Sequence, residues 1–447
     1  MPGVSSKNLL ELKALSMIKS LATLTFLVLS CAFFRSSVSA DDWTRFRGLN
    51  GTGISESTSL PTSWSDSENI AWKIELPGAG SSSPVVSGDR VFVTCYSGYG
   101  IGREGSAEKL VRHLVCVDGK LGTILWDKPV AAGDREDPYQ GYISEHGYAS
   151  NSATTDGQHV FVFHGKSGVY AYDMDGNEVW NHAVGHESSN RKWGSAASLT
   201  LFGDKLIVNA SEEGRAVLAL DKQTGKELWK AEASTLELCY GTPAIVKRDD
   251  GKTELVLAVP GEVWGLNPET GKLSWFVETQ LTGNVTPSPL VVDQSIYIFG
   301  GYRSSGSYRI RSGGKGDVTK SHVDWYSRNS SYVATPVHHA GHLFWIDDQG
   351  IAWCEEAATG KQVYRERVPA LSAGGRPVYA SPIVANGKLY VVTRHDGTLV
   401  VPATTTFSVE SVNKLISDDT DFNATPAIYN NHLILRSNRC LYCVGAK

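Results

Sequence analysis

Short apolar runs punctuate the chain at near-regular intervals, at residues 91–93, 160–163, 206–208, 255–259, 296–299, 343–346, 389–392 and 433–435. Polar and apolar positions hardly alternate within them, which marks strands buried on both faces. Turns rich in Gly, Asp and Asn follow, such as 165–168, 347–350 and 395–397, and these are hairpin signals. A further apolar strand comes next (169–172 and 217–220), then a second turn, then a strand led by an aromatic. Ahead of each run lies a small beat: Ser83-Pro84, Ser152-Ala153, Ala196-Ala197, Thr242-Pro243, Ser288-Pro289, Thr335-Pro336, Ser381-Pro382 and Thr425-Pro426. Successive beats are 69, 44, 46, 46, 47, 46 and 44 residues apart. A steady period of this size means one supersecondary unit copied many times.

Each copy therefore reads as a four-stranded antiparallel sheet that cannot cover both of its faces alone. Radial packing around a shared axis covers them, and the expectation is an all-β, eight-bladed β-propeller. The eighth copy supplies three strands, and the segment 69–76, which contains Trp72, reads as its fourth. The last blade is thus expected to be closed by an N-terminal strand, which removes two sheet edges. The predicted organisation is a signal peptide over 1–40, an N-terminal extension over 41–68 and a single propeller over 69–447, with 69–76 completing the last blade.

The leader reading rests on Lys7, Lys13 and Lys19, an apolar stretch over 21–34 and the small-residue site Val38-Ser39-Ala40. The stretch is short for a membrane span, which needs about 20 residues, so the mature chain is expected to have none. Lipidation at Cys31 is the alternative to cleavage between Ala40 and Asp41; the preceding Val28-Leu29-Ser30 is a poor lipidation box. The expected destination is the periplasm or the extracellular space. The leader carries four basic residues and one acid, so its removal takes the formal charge from −5 to −8. Such a surface repels phosphate backbones, and nucleic acid is excluded as a partner. The expected state is a monomer.

The cysteines point to packing. Cys116, Cys354 and Cys443 fall at one repeat position, where other copies have Ala171, Ala219 and Gly265. A free Cys serves there as a small hydrophobe. Cys440 and Cys443 are a C-x-x-C with no His after it, so haem attachment is excluded.

The segment 219–229, Ala-Leu-Asp-Lys-Gln-Thr-Gly-Lys-Glu-Leu-Trp, resembles the tryptophan-docking repeat of the pyrroloquinoline-quinone (PQQ) like propellers, over about residues 69–447. That superfamily includes quinoprotein alcohol dehydrogenases and a non-catalytic branch typified by BamB. The opening Trp43-x-x-Phe46-Arg47-Gly48-x-Asn50-Gly51-x-Gly53 is also similar to exported PQQ-like propellers of planctomycete-type bacteria. The resemblance to the dehydrogenases implies PQQ and calcium, but the adjacent Cys-Cys pair of those enzymes is missing here. The leading expectation is therefore an exported scaffold that binds a protein or small ligand at the channel mouth, with no cofactor firmly assigned. A PQQ-dependent oxidoreductase is the alternative.

Just before the beats stand Tyr148, Trp193, Tyr240, Tyr332, Tyr379 and Phe422. The first and fifth copies have Gly78-Ala79-Gly80 and Gly283-Asn284 instead. These positions lead into the innermost strands, so they predict an aromatic collar with two opposed gaps, a slot for a flat molecule or an extended peptide. Arg191, Lys192 and a basic excursion at 300–323, containing Arg303, Arg309 and Arg311, are candidates for binding an anion beside it. No catalytic or metal-binding residue is assigned; His338, His339 and His342 read as a surface turn.

Overall fold

The computed structural model describes residues 42–446 except 101, 103, 134, 373 and 374; the expected leader lies outside the described residues. Its strands form eight separate sheets. In chain order these are blades 1 to 7, at 85–131, 154–182, 200–232, 244–278, 290–327, 337–367 and 383–413, and blade 8 at 427–444. Blade 8 takes its outer strand from Ile70–Glu75, which pairs antiparallel with Cys440–Val444 and sets Trp72 opposite Cys443. The protein is an eight-bladed β-propeller closed by its N-terminal strand, as the repeat predicts. Two blades gain a fifth strand: Gly316–Asp317 runs parallel to the outer strand of blade 4, and Ile54–Ser55 parallel to the inner strand of blade 7.

The beat explains itself at the axis. The Ser83 N–H donates to Ser152 Oγ (2.9 Å), Ser152 N–H to Ser198 Oγ (3.0 Å) and Ser198 N–H to Thr242 Oγ1 (2.9 Å). The chain of bonds continues from Thr242 through Ser288, Thr335 and Ser381 to Thr425, at 2.9–3.0 Å. Each hydroxyl satisfies the buried amide of the preceding blade, so a small oxygen-bearing side chain is needed once per repeat. The register corrects one reading: the third copy's member is Ser198, two residues after Ala196. Between blades 8 and 1 the link is different, with Arg436 donating to the Ser82 carbonyl at 3.0 Å.

The outer strands lock the blades from the other side. Seven blades carry a register shift beside the residue that faces the aromatic, which is small in six of them and Arg309 in blade 5, and such a bulge re-aims a side chain. The indole N–H of Trp72 donates to Gly119 O (2.7 Å), Trp126 to Met174 O (3.1 Å), Trp180 to Lys222 O (3.1 Å), Trp229 to Pro268 O (3.0 Å) and Trp325 to Ala357 O (3.1 Å). In each case the acceptor lies on the next blade's outer turn. A glycine sits under the ring; a Cβ on Gly122 would fall 2.5 Å from the Trp72 ring. Trp275 departs from the pattern. It is fully buried and its N–H finds no acceptor among the described residues, because the 312–322 excursion replaces the turn that would have received it. The six described cysteines are free and buried, and Cys116, Cys354 and Cys443 face Trp126, Tyr364 and Trp72 across their strand pairs.

Candidate functional site: a blind chamber on the axis

The N-terminal segment after residue 42 crosses beneath the hydroxyl ring and stops the channel. The Trp43 carbonyl accepts Val86 N–H of blade 1 (2.9 Å) and the Thr44 carbonyl accepts Thr155 N–H of blade 2 (2.9 Å). Arg45 reaches Thr200 Oγ1 (3.2 Å), and Arg47 donates to the Thr335 and Pro336 carbonyls at 2.5 and 2.8 Å. Arg47 is fully buried and also donates to Gly51 O and Thr52 O. Burial pulls its pKa down to about 9, so it stays charged at neutral pH, where four carbonyls receive its protons. Blade 7 is met through Val384 N–H to Gly53 O (2.8 Å) and blade 8 through Ser57 Oγ to Asn431 Oδ1 (2.5 Å). The spacing of the opening motif follows from this path. Gly48 has φ +65° and a Cβ there would lie 2.6 Å from the Trp43 ring. Phe46 faces the chamber.

Above that floor lies a cavity of about 990 Å³, counted out to the solvent at its mouth. Beat hydroxyls of Ser83, Ser198, Thr242, Ser288, Thr335, Ser381 and Thr425 line it low down. Higher up stand Trp193, Tyr240, Tyr332, Tyr379 and Asn284, all anticipated from the sequence. Trp193 and Tyr240 stack at 6.2 Å, and Asn284 Oδ1 accepts from the Tyr332 hydroxyl at 3.4 Å.

The remaining anticipated residues lie elsewhere. Tyr148 is buried, its ring packed on Tyr96 and Tyr99 and its hydroxyl donating to Asp137 O (2.6 Å). Phe422 stacks on Tyr442 at 6.1 Å and lines a separate crevice between blades 7 and 8. Lys192 and Arg303 are exposed and outside the lining. Arg191 is exposed and stacks on Trp193, its guanidinium 5.7 Å from the ring centroid. The basic excursion divides: Arg303 lies in the turn after the second strand of blade 5, next to Tyr302, which packs on Tyr332 at 5.9 Å, whereas the rest lies on or after the third strand. Arg309 bonds Ser295 on its own blade and the Ala358 carbonyl of blade 6, Arg311 bonds Asp324, and the loop beyond them follows the third strand. Loops after the second and third strands of an antiparallel sheet leave from opposite ends, so this loop opens on the face away from the collar.

A roof absent from the sequence reading completes the chamber. The helical turn Ile143–His146, with Tyr142 before it, lies over the mouth. Tyr142 packs on Trp193 at 4.5 Å and on Tyr332 at 6.4 Å. Glu145 Oε2 pairs with Arg394 (2.9 Å), and its carbonyl accepts from Asn423 Nδ2 (2.9 Å). Ser81 Oγ donates to His146 O (3.0 Å), while the His146 ring meets Ser150 Oγ at 2.7 Å. Burial lowers His146 to about 4, so it is neutral at pH 7, and burial pushes Tyr379 up to about 12. The expected slot between copies one and five is therefore closed: the strap occupies one gap and Asn284 the other. Its signal in the sequence was the extra length of the first copy; nothing in the local pattern said where that length would fold.

A family model described as outer membrane protein assembly factor BamB (PQQ_2) matches residues 111–366, more than half of the chain. The chain belongs to this family. The PQQ_2 match runs from the third strand of blade 1 to the outer strand of blade 6. Among relatives, the outer membrane protein assembly factor BamB of Burkholderia pseudomallei (strain K96243) is 22% identical over 374 residues, covering 80% of this chain and 82% of that one. The BamB of Moranella endobia (strain PCIT) is 23% identical over 228 residues, 48% of this chain, and the match spans only 56% of that protein. Two solved structures share the fold. BamB from Moraxella catarrhalis has TM-score 0.59 at 15% identity, covering 85% of this chain and 97% of that chain. A europium-containing methanol dehydrogenase has TM-score 0.61 at 12% identity, covering 89% of each.

Proposed function

We propose that this chain is an exported, non-catalytic propeller of the cell envelope that binds its ligand or a partner protein's projecting group in the axial chamber. The observation that carries the reading is the chamber itself: a pit stoppered from beneath by its own N-terminal segment and walled by aromatic rings. A stoppered channel cannot conduct, and a fixed wall of rings over paired polar groups is suited to binding. Two BamB relatives support a scaffold role in envelope assembly. No helix among the described residues is long and apolar enough to cross a membrane.

The residues do not fit PQQ. Its carboxylates need cations, and among the described residues no lysine or arginine lines the chamber. Calcium needs several oxygen ligands, and among the described residues no group of three His, Cys, Asp or Glu side chains is placed to hold a metal. The test is to purify the protein from native envelope, denature it and identify co-released small molecules and proteins, with Trp193→Ala in parallel. A component carried by the parent and lost from the variant supports the reading. Saturable binding of PQQ with calcium, together with dye-linked alcohol turnover, overturns it.

A further inference from the structure

From the chamber's chemistry we infer that its ligand is a neutral sugar, a pyranose or short oligosaccharide end that stacks on the rings and hydrogen-bonds to the hydroxyl floor. This rests on the chamber being the binding site.

The walls and floor present opposite needs. The floor hydroxyls already accept amide protons from the neighbouring blade, so each keeps an O–H to donate and a lone pair to share. A purely apolar ligand would strip water from them and give nothing back. The rings offer broad apolar faces of negative potential, which suit the C–H face of a sugar ring. A pyranose has both surfaces at once.

Charged ligands are disfavoured on either sign. Glu145 is the one carboxylate in the described lining, and Arg394 already neutralises it while also bonding Asp421 at 2.7 Å. An anion would find no cation among the described lining residues. A quaternary ammonium would be repelled by the guanidinium groups already held against three of the rings, a penalty that an uncharged C–H face does not incur. Arg376 lies 4.9 Å from the Tyr332 centroid and 5.0 Å from that of Tyr142; Arg394 lies 4.9 Å from that of Tyr379.

Two polar atoms of the lining lack a partner among the described residues, the Tyr240 hydroxyl and Asn423 Oδ1. Asn423 gives its amide protons to the strap through Glu145 O, which fixes the orientation of the group, and its Oδ1 is left buried without a hydrogen bond. It sits under the roof, where a ligand hydroxyl entering beneath a displaced strap would satisfy it.

The test is calorimetric titration of the full mature chain with glucose, galactose, mannose, N-acetylglucosamine, maltose and cellobiose. Choline, PQQ and a neutral tripeptide serve as comparison probes. The expected result is one-to-one saturable binding of at least one neutral sugar. Trp193→Ala should weaken it about tenfold or more, and Trp193→Phe, which keeps a stacking face, by a smaller factor. Thermal melts of both variants establish that they fold, and Tyr379→Leu supplies a second variant should Trp193→Ala fail to. Binding of choline, PQQ or the tripeptide in place of any sugar, lost in the same variants, overturns the sugar inference and keeps the chamber as the site. Sugar binding unchanged in every folded variant overturns both, as does the absence of binding by any probe at millimolar concentration.

Discussion

Arg47 Nη1 donates to the Thr335 carbonyl at 2.5 Å, which ties the segment ahead of the propeller to the entry of blade 6, 288 residues further on. The guanidinium fork is the reason an arginine stands there: it spans two carbonyls of blade 6 and two of its own loop. Arg47→Ala would leave those acceptors buried and unpaired. The expected cost is roughly 3 kcal/mol or more, read as a drop in the urea midpoint, and Arg47→Lys recovers only part of it.

The hydroxyl ring makes an isosteric test possible. Thr242→Val keeps the shape of the side chain and removes the acceptor for Ser198 N–H. A loss of about 1–3 kcal/mol in unfolding free energy is expected from the orphaned amide. A change within a few tenths would mean that the ring bonds contribute nothing to holding adjacent blades.

Tryptophan docking predicts a contrast between two glycines that both have positive φ. Gly122→Ala drives a methyl into the Trp72 ring, whereas a Cβ on Gly251 meets nothing within 4 Å. Both variants carry backbone strain of order 1 kcal/mol. The first should lose at least about 2 kcal/mol more, because Trp72 must leave the blade 8 to blade 1 junction. Equal melting temperatures for the two would contradict the docking geometry.

Glu213 gives a pH dependence with a definite sign. It is buried beside Glu212, and desolvation first, then that neighbouring charge, pushes its carboxyl up to about 8. The native state favours the protonated acid. Its contribution is complete below the unfolded value of about 4.5 and is lost as pH rises toward 8. Glu213→Gln should therefore gain stability relative to the parent by about 3 kcal/mol between pH 5 and pH 8, measured by urea unfolding at both. His146 acts in the opposite direction. Lowered to about 4 by burial, it destabilises the fold as pH falls from 6.5 toward 4.

The fold was legible because the repeat states it many times. Blade number, the closing strand with Trp72 and the small repeat position held by Cys116, Ala171, Ala219, Gly265, Cys354 and Cys443 all follow from a pattern that averaging over copies makes reliable. The collar was legible for the same reason, through Trp193, Tyr240, Tyr332 and Tyr379, which hold equivalent positions. The roof and floor were not. Tyr142, Glu145 and Phe46 occur once each, outside the period, and their places depend on partners hundreds of residues away, such as Arg394 and Thr335. Tyr148 shows the reverse failure: it holds a collar position, but the extra length of blade 1 supplies Tyr99 and Tyr139 to bury it.

The central claim is that residues 43–53 are the fixed floor of a blind chamber rather than a loose extension ahead of the propeller. Hydrogen exchange of the protein, read on peptides covering that segment, tests it most directly. Gly51, Thr52 and Gly53 N–H are bonded within the loop, and Val86, Thr155 and Val384 N–H are bonded to it from three blades. These amides are predicted to exchange only as the inner strands do, through global unfolding. Exchange of the segment at the rate of an unprotected chain, with the inner strands still protected, would contradict it.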